Sequence, residues 1–161
     1  VTAQEINLGW TSPGPVASAF MAATEVVQVI CGPLGSGKTT AALMKGVALA
    51  ARQSPSTRHR LRNSAGKLVP ARRFKLCVVR DTYRQLWKTT LPSWWERVPR
   101  DLGTFDGPSN GPATHRVGFE LEDGTMVDLH ADFVAIGENS AEQVLDGYEP
   151  TAFYLDAANL L

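Results

Sequence analysis

The chain has 161 residues, of which 43% are hydrophobic and 20% charged, too apolar and too mixed for a disordered segment. That length can bury a core without disulfide or metal staples. Sixteen Lys plus Arg balance sixteen Asp plus Glu, so net charge alone points to no partner, and the lack of a long apolar run argues against a membrane-spanning helix.

In chain order, Pro13, Gly14 and Pro15 mark an irregular lead-in, with a short helix expected near Val16–Ala23. Glu25–Cys31 is a β-branched apolar run and reads as a buried strand. A Gly-rich turn follows. Lys38–Arg52 reads as a helix, because Leu43, Val47 and Ala50 recur on one face. Gly46 inside it costs about 1 kcal/mol of helix propensity. Phe74–Arg80 is a second apolar strand, and Asp81–Val98 a helical stretch with Tyr83, Trp87, Leu91, Trp94 and Val98 at helical period. That spacing favours core packing over base stacking for the aromatic residues. Pro92 must kink this stretch or open a new helix. Residues 100–115 read as loop. Arg116–Leu121 and Thr125–Asp132 flank Asp123-Gly124, a hairpin signal. Ser140–Leu145 is a short helix and Thr151–Asp156 a third core strand. No repeat or linker divides the chain, so residues 1–161 read as one domain. The alternation predicts an α/β fold with a mostly parallel sheet.

Eight of the sixteen basic residues lie between Arg52 and Lys75, with no acidic residue among them. From Val117 to Leu161 there are ten acidic residues and no Lys or Arg. The basic segment is either a solvated loop or a contact for nucleic acid. Cys31 and Cys77 read as buried, reduced thiols of an intracellular protein. His59, His115 and His130 lack metal-ligand spacing.

Gly32-Pro33-Leu34-Gly35-Ser36-Gly37-Lys38-Thr39 fits G-x-x-x-x-G-K-[ST] at every defined position. A chance match in this length is on the order of 0.5% at average residue usage. The glycines let backbone N–H groups converge on phosphate oxygens, and the helix N-terminus adds its dipole. Lys38 is expected on the β- and γ-phosphates, Thr39 on Mg²⁺ and Thr40 on the α-phosphate. A second Mg²⁺ partner is usually an Asp ending an apolar strand, which Ala152-Phe153-Tyr154-Leu155-Asp156 supplies. Hydrolytic enzymes of this class follow that Asp with a Glu that polarises water. Here the position is Ala157, which can neither accept a proton nor orient water. Either another carboxylate serves, or the glutamate was replaced and bound ATP is trapped.

Together these residues resemble the ATPase domain of the large terminase subunit of tailed bacteriophages, the DNA-packaging motor. The resemblance rests on the lead-in with Pro15 and Phe20, the phosphate loop, and Val78–Thr82 running into a helix. It continues through the Leu121–Val127 turn and Gly147 to Phe153-Tyr154-Leu155-Asp156-Ala157-Ala158, where the family reads Asp-Glu-Ala. It implies a P-loop NTPase core of the RecA-like, ASCE type: a mostly parallel sheet flanked by helices, plus a β-hairpin. It implies ATP and Mg²⁺ held by Lys38, Thr39 and Asp156, with hydrolysis crippled at Ala157. It also implies a ring on a procapsid portal, a small terminase subunit as partner, double-stranded DNA as cargo, and action in the host cytoplasm. Arg80 and Arg84 are candidates for the arginine finger, with packing or an ion pair to Asp81 as the alternative. The family's coupling segment and nuclease domain are absent from this sequence, which also starts at Val1, so it reads as a shortened piece. A non-hydrolysing nucleotide switch and a P-loop kinase are the rival readings.

Overall fold

One 13-residue strand, Leu68–Arg80, carries the rest of the architecture in the computed structural model, which describes residues 9–137 and 139–156. The strands are β1 (Ser56–Arg62), β2 (Leu68–Arg80), β3 (Thr104–Asp106), β4 (Ala113–Glu120), β5 (Met126–Ala135) and β6 (Ala152–Leu155). Parallel pairing joins β2 to β5 over Ala71–Arg80. The other side of β2 is shared. Its first half takes β1 antiparallel, and Leu76–Val79 take β6 parallel. Beyond β5 lie β4 and then β3, both antiparallel to their neighbours.

The sheet is therefore mixed, and the expectation of a mostly parallel sheet is overturned. Two pairs are parallel and three antiparallel. One antiparallel pair, β3 with β4, forms where residues 100–115 were expected to be loop, and two tight turns make the other two. The turn at Asp123-Gly124, with Gly124 at φ 75°, pairs β4 with β5, so the expected hairpin is part of the main sheet. The turn closed by Asn63 N–H to the Lys67 carbonyl folds the basic segment back as β1–β2, where a loop was expected. Strands joined by short turns pair with their sequence neighbours before any crossover is needed.

A second expectation also fails. Glu25–Cys31 is not a strand: Val26, Val27 and Val29 are exposed, and no strand flanks the segment among the described residues. An apolar run becomes a strand only where a ladder accepts its backbone groups. Cys31 is correspondingly exposed, whereas Cys77 is buried, and burial pushes the Cys77 thiol up to about 12. β6 occupies the place expected of a core strand, yet Phe153 and Leu155 are half-exposed.

Helices α1 (Pro15–Ala22) and α2 (Lys38–Arg52) follow the expected bounds closely. A continuous helical stretch comprises α3 (Tyr83–Gln85), a π turn (Leu86–Thr90) and α4 (Leu91–Trp95). Pro92 sits in the first turn of α4, where its missing N–H is tolerated. The π turn directly precedes it. α2 and this stretch cover one sheet face, burying Leu43, Val47, Leu86, Leu91 and Trp94 against Phe74, Leu76, Val78 and Phe133. The aromatic residues expected in the core are there: Trp94 is buried, and Trp87, Trp95 and Tyr83 pack against that core, as Trp10 also does. On the opposite face α5 (Ala141–Leu145) sets Val144 and Leu145 against Cys77, Val79 and Val134. Ser140 starts α5 with a capping box to Gln143.

Two polar groups tie the core. Lys45 of α2 is buried and donates to the carbonyls of Phe20, Met21 and Ala23 at 2.6, 3.2 and 2.6 Å. A cation thus caps the C-terminal carbonyls of α1. Burial lowers the Lys45 pKa, with the Arg52 charge adding to it. His115 accepts from Trp94 Nε1 at Nδ1 (2.9 Å) and donates from Nε2 to the Leu102 carbonyl (2.6 Å). That arrangement needs neutral imidazole, and burial lowers the pKa of His115.

Two expected outcomes follow. A Cβ on Gly46 would stand 2.7 Å from the Leu76 side chain, so Gly46→Ala should lose about 1–3 kcal/mol in urea denaturation despite its better helix propensity. For His115, the unfolded chain binds the proton more readily than the folded one. Stability should therefore fall as pH drops below about 6.5, and His115→Gln should flatten that slope in thermal melts at pH 5 to 7.

Candidate nucleotide site

The phosphate loop lies between the exposed Glu25–Cys31 segment and α2. Gly35 and Gly37 take positive φ of 74° and 77°, the left-handed region that side chains resist. Gly37 is the N-cap of α2, and no side chain caps that helix. The first N–H groups of α2 are thus left for an anion. Lys38 Nζ donates to the Gly32 and Pro33 carbonyls at 2.7 and 2.6 Å, curling the loop around its own ammonium. Residues 32–36 are exposed, and Thr40 is half-buried on α2. The lead-in runs alongside: Pro13–Ala17 and Gly35–Gly37 line an open cleft of about 480 Å³. The cap that Lys45 places on α1 holds this wall against α2.

The decisive contact bridges 117 residues: Thr39 Oγ1 donates to Asp156 Oδ1 at 3.2 Å. Parallel pairing of β6 with β2 brings Asp156 to the start of α2, and Asp156 N–H donates to the Val79 carbonyl at 2.9 Å. Asp156 is 4% exposed, and its carboxylate takes three more hydrogen bonds. Arg80 Nη1 and Thr90 Oγ1 donate to Oδ2, each at 2.6 Å, and Tyr154 Oη donates to Oδ1 at 2.8 Å. Burial alone would raise the Asp156 pKa. The hydrogen bonds from Thr90, Tyr154 and Arg80, with the Arg80 charge, outweigh it and hold the carboxyl below the usual range. The same burial, with the adjacent Asp156 charge, raises the Tyr154 phenol.

The expected site residues fall into three groups. Lys38, Thr39 and Asp156 are brought together with the loop. Arg80 joins them directly, ion-paired to Asp156 and also to Asp81 at 3.3 Å. Arg84 is exposed on α3 and takes no part in the Asp156 network. Ala157 lies outside the described residues. Thr90 and Tyr154 escaped sequence reasoning. Tyr154 was findable, since residues two apart on a strand share a face. Thr90 was not, because its position depends on the π turn.

Among the described residues no group of three or more His, Cys, Asp or Glu could hold a metal ion. Mg²⁺ in nucleotide sites needs less: one or two protein oxygens, with water and phosphates completing the octahedron. Thr39 and Asp156 fit that donor set. Comparison with known family models, curated proteins and solved structures found no match to this chain.

The Asp156 network is testable by itself. Thr90→Val removes a buried hydrogen bond to a charge and should cost about 1.5–3 kcal/mol. Because a depressed carboxyl stabilises the fold above its unfolded pKa of about 3.9, that contribution disappears as pH falls through the folded value. Thr90→Val, by raising the folded value, should start acid unfolding at higher pH, read by circular dichroism.

Proposed function

We propose that the chain is a nucleoside triphosphate-binding domain of the P-loop class, and that it serves as the ATP-driven part of a terminase-type DNA-packaging motor. The observation that carries the reading is the 3.2 Å approach of Thr39 to Asp156. The motif requires a hydroxyl and a strand-end carboxylate on one Mg²⁺, and those two side chains meet across a sequence separation of 117. In this reading the loop N–H groups and Lys38 hold the phosphates, while Thr39 and Asp156 hold Mg²⁺, which supplies charge neutralisation for phosphoryl transfer to water. Arg80 orients Asp156 from beside it. The cleft between Pro13–Ala17 and the loop gives the nucleotide room next to the lead-in. Ring assembly on a portal, with the small subunit as partner, belongs to the same proposal.

Ala157 gives one specific reason for the rival reading of a nucleotide switch that does not hydrolyse, since alanine cannot activate water. Binding and turnover separate the two. Titration calorimetry with ATP and Mg²⁺ should show binding that Lys38→Ala removes. Ala157→Glu should raise ATP turnover by about 10²-fold or more. Binding without turnover in either form would favour the switch, and no binding by the unaltered chain would defeat both readings.

A further inference from the structure

The β1–β2 ribbon carries a cationic surface that the nucleotide site does not use. Arg58, Arg60, Arg62 and Lys67 are all exposed. None forms an ion pair among the described residues. Three nearby carboxylates are engaged elsewhere. Asp128 takes His59 at 2.7 Å, Asp123 takes Arg72, and Glu120 takes Ser64 N–H and Oγ at 2.9 and 2.6 Å. Four cations therefore remain free within ten residues of a chain whose net charge is zero.

The ribbon is also held in shape. Glu120 clamps its turn to the end of β4, and Asn63 closes that turn through its own carbonyl and side chain with Gly66 and Lys67. Arg60 Nη2 donates to the Leu68 carbonyl at 3.0 Å, and Arg62 Nη1 to the Gly66 carbonyl at 2.7 Å. Each guanidinium is thus oriented by the ribbon while keeping other N–H donors for a ligand.

We infer that this β-ribbon is a contact surface for the sugar-phosphate backbone of duplex DNA. Fixed, unpaired guanidinium groups suit phosphate oxygens, and a two-stranded ribbon is narrow enough to enter a major groove. Single strands are usually gripped by aromatic side chains that stack on bases. The stretch from Ser56 to Val69 contains no Phe, Tyr or Trp, which favours the duplex. The inference deepens the motor reading by placing its cargo, and it rests on that reading only for the purpose of the contact. The ribbon lies at the far end of β2 from Arg80, and the 13 residues of that strand span about 40 Å. DNA and nucleotide would engage opposite ends of one strand.

The test is fluorescence anisotropy of a short labelled duplex, without nucleotide, from about 50 to about 200 mM salt. The unaltered chain should bind, with affinity falling steeply as salt rises. The combined Arg58→Ala, Arg60→Ala, Arg62→Ala variant should bind about tenfold or more weakly, and its salt slope should be shallower by about 2–3. The matching triple Lys variant should recover most of the affinity. Lys88→Ala, Arg97→Ala and Arg116→Ala combined, which remove equal charge elsewhere, should change binding less than threefold. Circular dichroism melts confirm that each variant is folded. The inference is overturned if the ribbon triple binds as the unaltered chain does, if the control triple loses as much, or if single-stranded DNA binds more tightly than duplex. Because no ATP is present, failure of the nucleotide reading would leave these results unchanged. Failure of DNA binding would leave ATP binding intact.

Discussion

A carboxylate almost removed from water must be answered by donors, or it costs several kcal/mol. Asp156 is answered from four directions: α2 through Thr39, β2 through Arg80, the π turn through Thr90, and its own strand through Tyr154. Each donor belongs to a separate segment, so the charge cannot be satisfied unless α2, β2, β6 and the central helical stretch are all docked. Apolar packing brings these parts near one another. The carboxylate selects the one arrangement in which they meet, because loss of a single partner leaves a buried charge short of a bond.

β2 is the element through which that selection spreads. Its C-terminal half is buried on both faces and paired on both edges. Its N-terminal half runs out from under the helices, pairs with β1 and becomes progressively exposed. One strand therefore passes from a dry, charge-compensated end to a wet, cation-rich end. The balanced total charge conceals this separation. Asp128 of β5, Asp123 of the turn and Glu120 of β4 are spent on His59, Arg72 and the ribbon turn, and Arg58, Arg60, Arg62 and Lys67 form no ion pair among the described residues.

What was legible in the sequence was mostly local. The phosphate loop is a contiguous pattern, and within it Gly35 and Gly37 take the positive φ that glycine adopts readily. Asp156 could be read from the apolar run before it. The helix bounds followed from periodicity, and the Asp123-Gly124 turn from its residue types. What was not legible depended on partners distant in sequence. Glu25–Cys31 has the composition of a strand, but composition does not supply a ladder. The basic segment has the composition of a loop, yet Asn63 and Gly66 close a turn that pairs Arg60–Arg62 with Leu68–Pro70. The mixed sheet is the sum of those two misreadings and of a hairpin that merged with the main strands. Arg80 reads as a candidate arginine finger or as an ion pair with Asp81; the Asp81 pair is present, and the tie of Arg80 to Asp156 needed the parallel register of β6.

The π turn at Leu86–Thr90 gives the helical stretch one residue more than an α-helical path requires. Such turns are uncommon and cost hydrogen-bond geometry. Here the extra residue lets Trp94 and Leu91 stay in the core while Thr90 faces Asp156. A slip of this turn back to α geometry would rotate Thr90 by about 100° relative to the residues before it, withdrawing its hydroxyl from the carboxylate. An α-helical winding of the same residues would leave the buried charge one donor short, so a carboxylate more than sixty residues away in the chain favours the π winding of this helix.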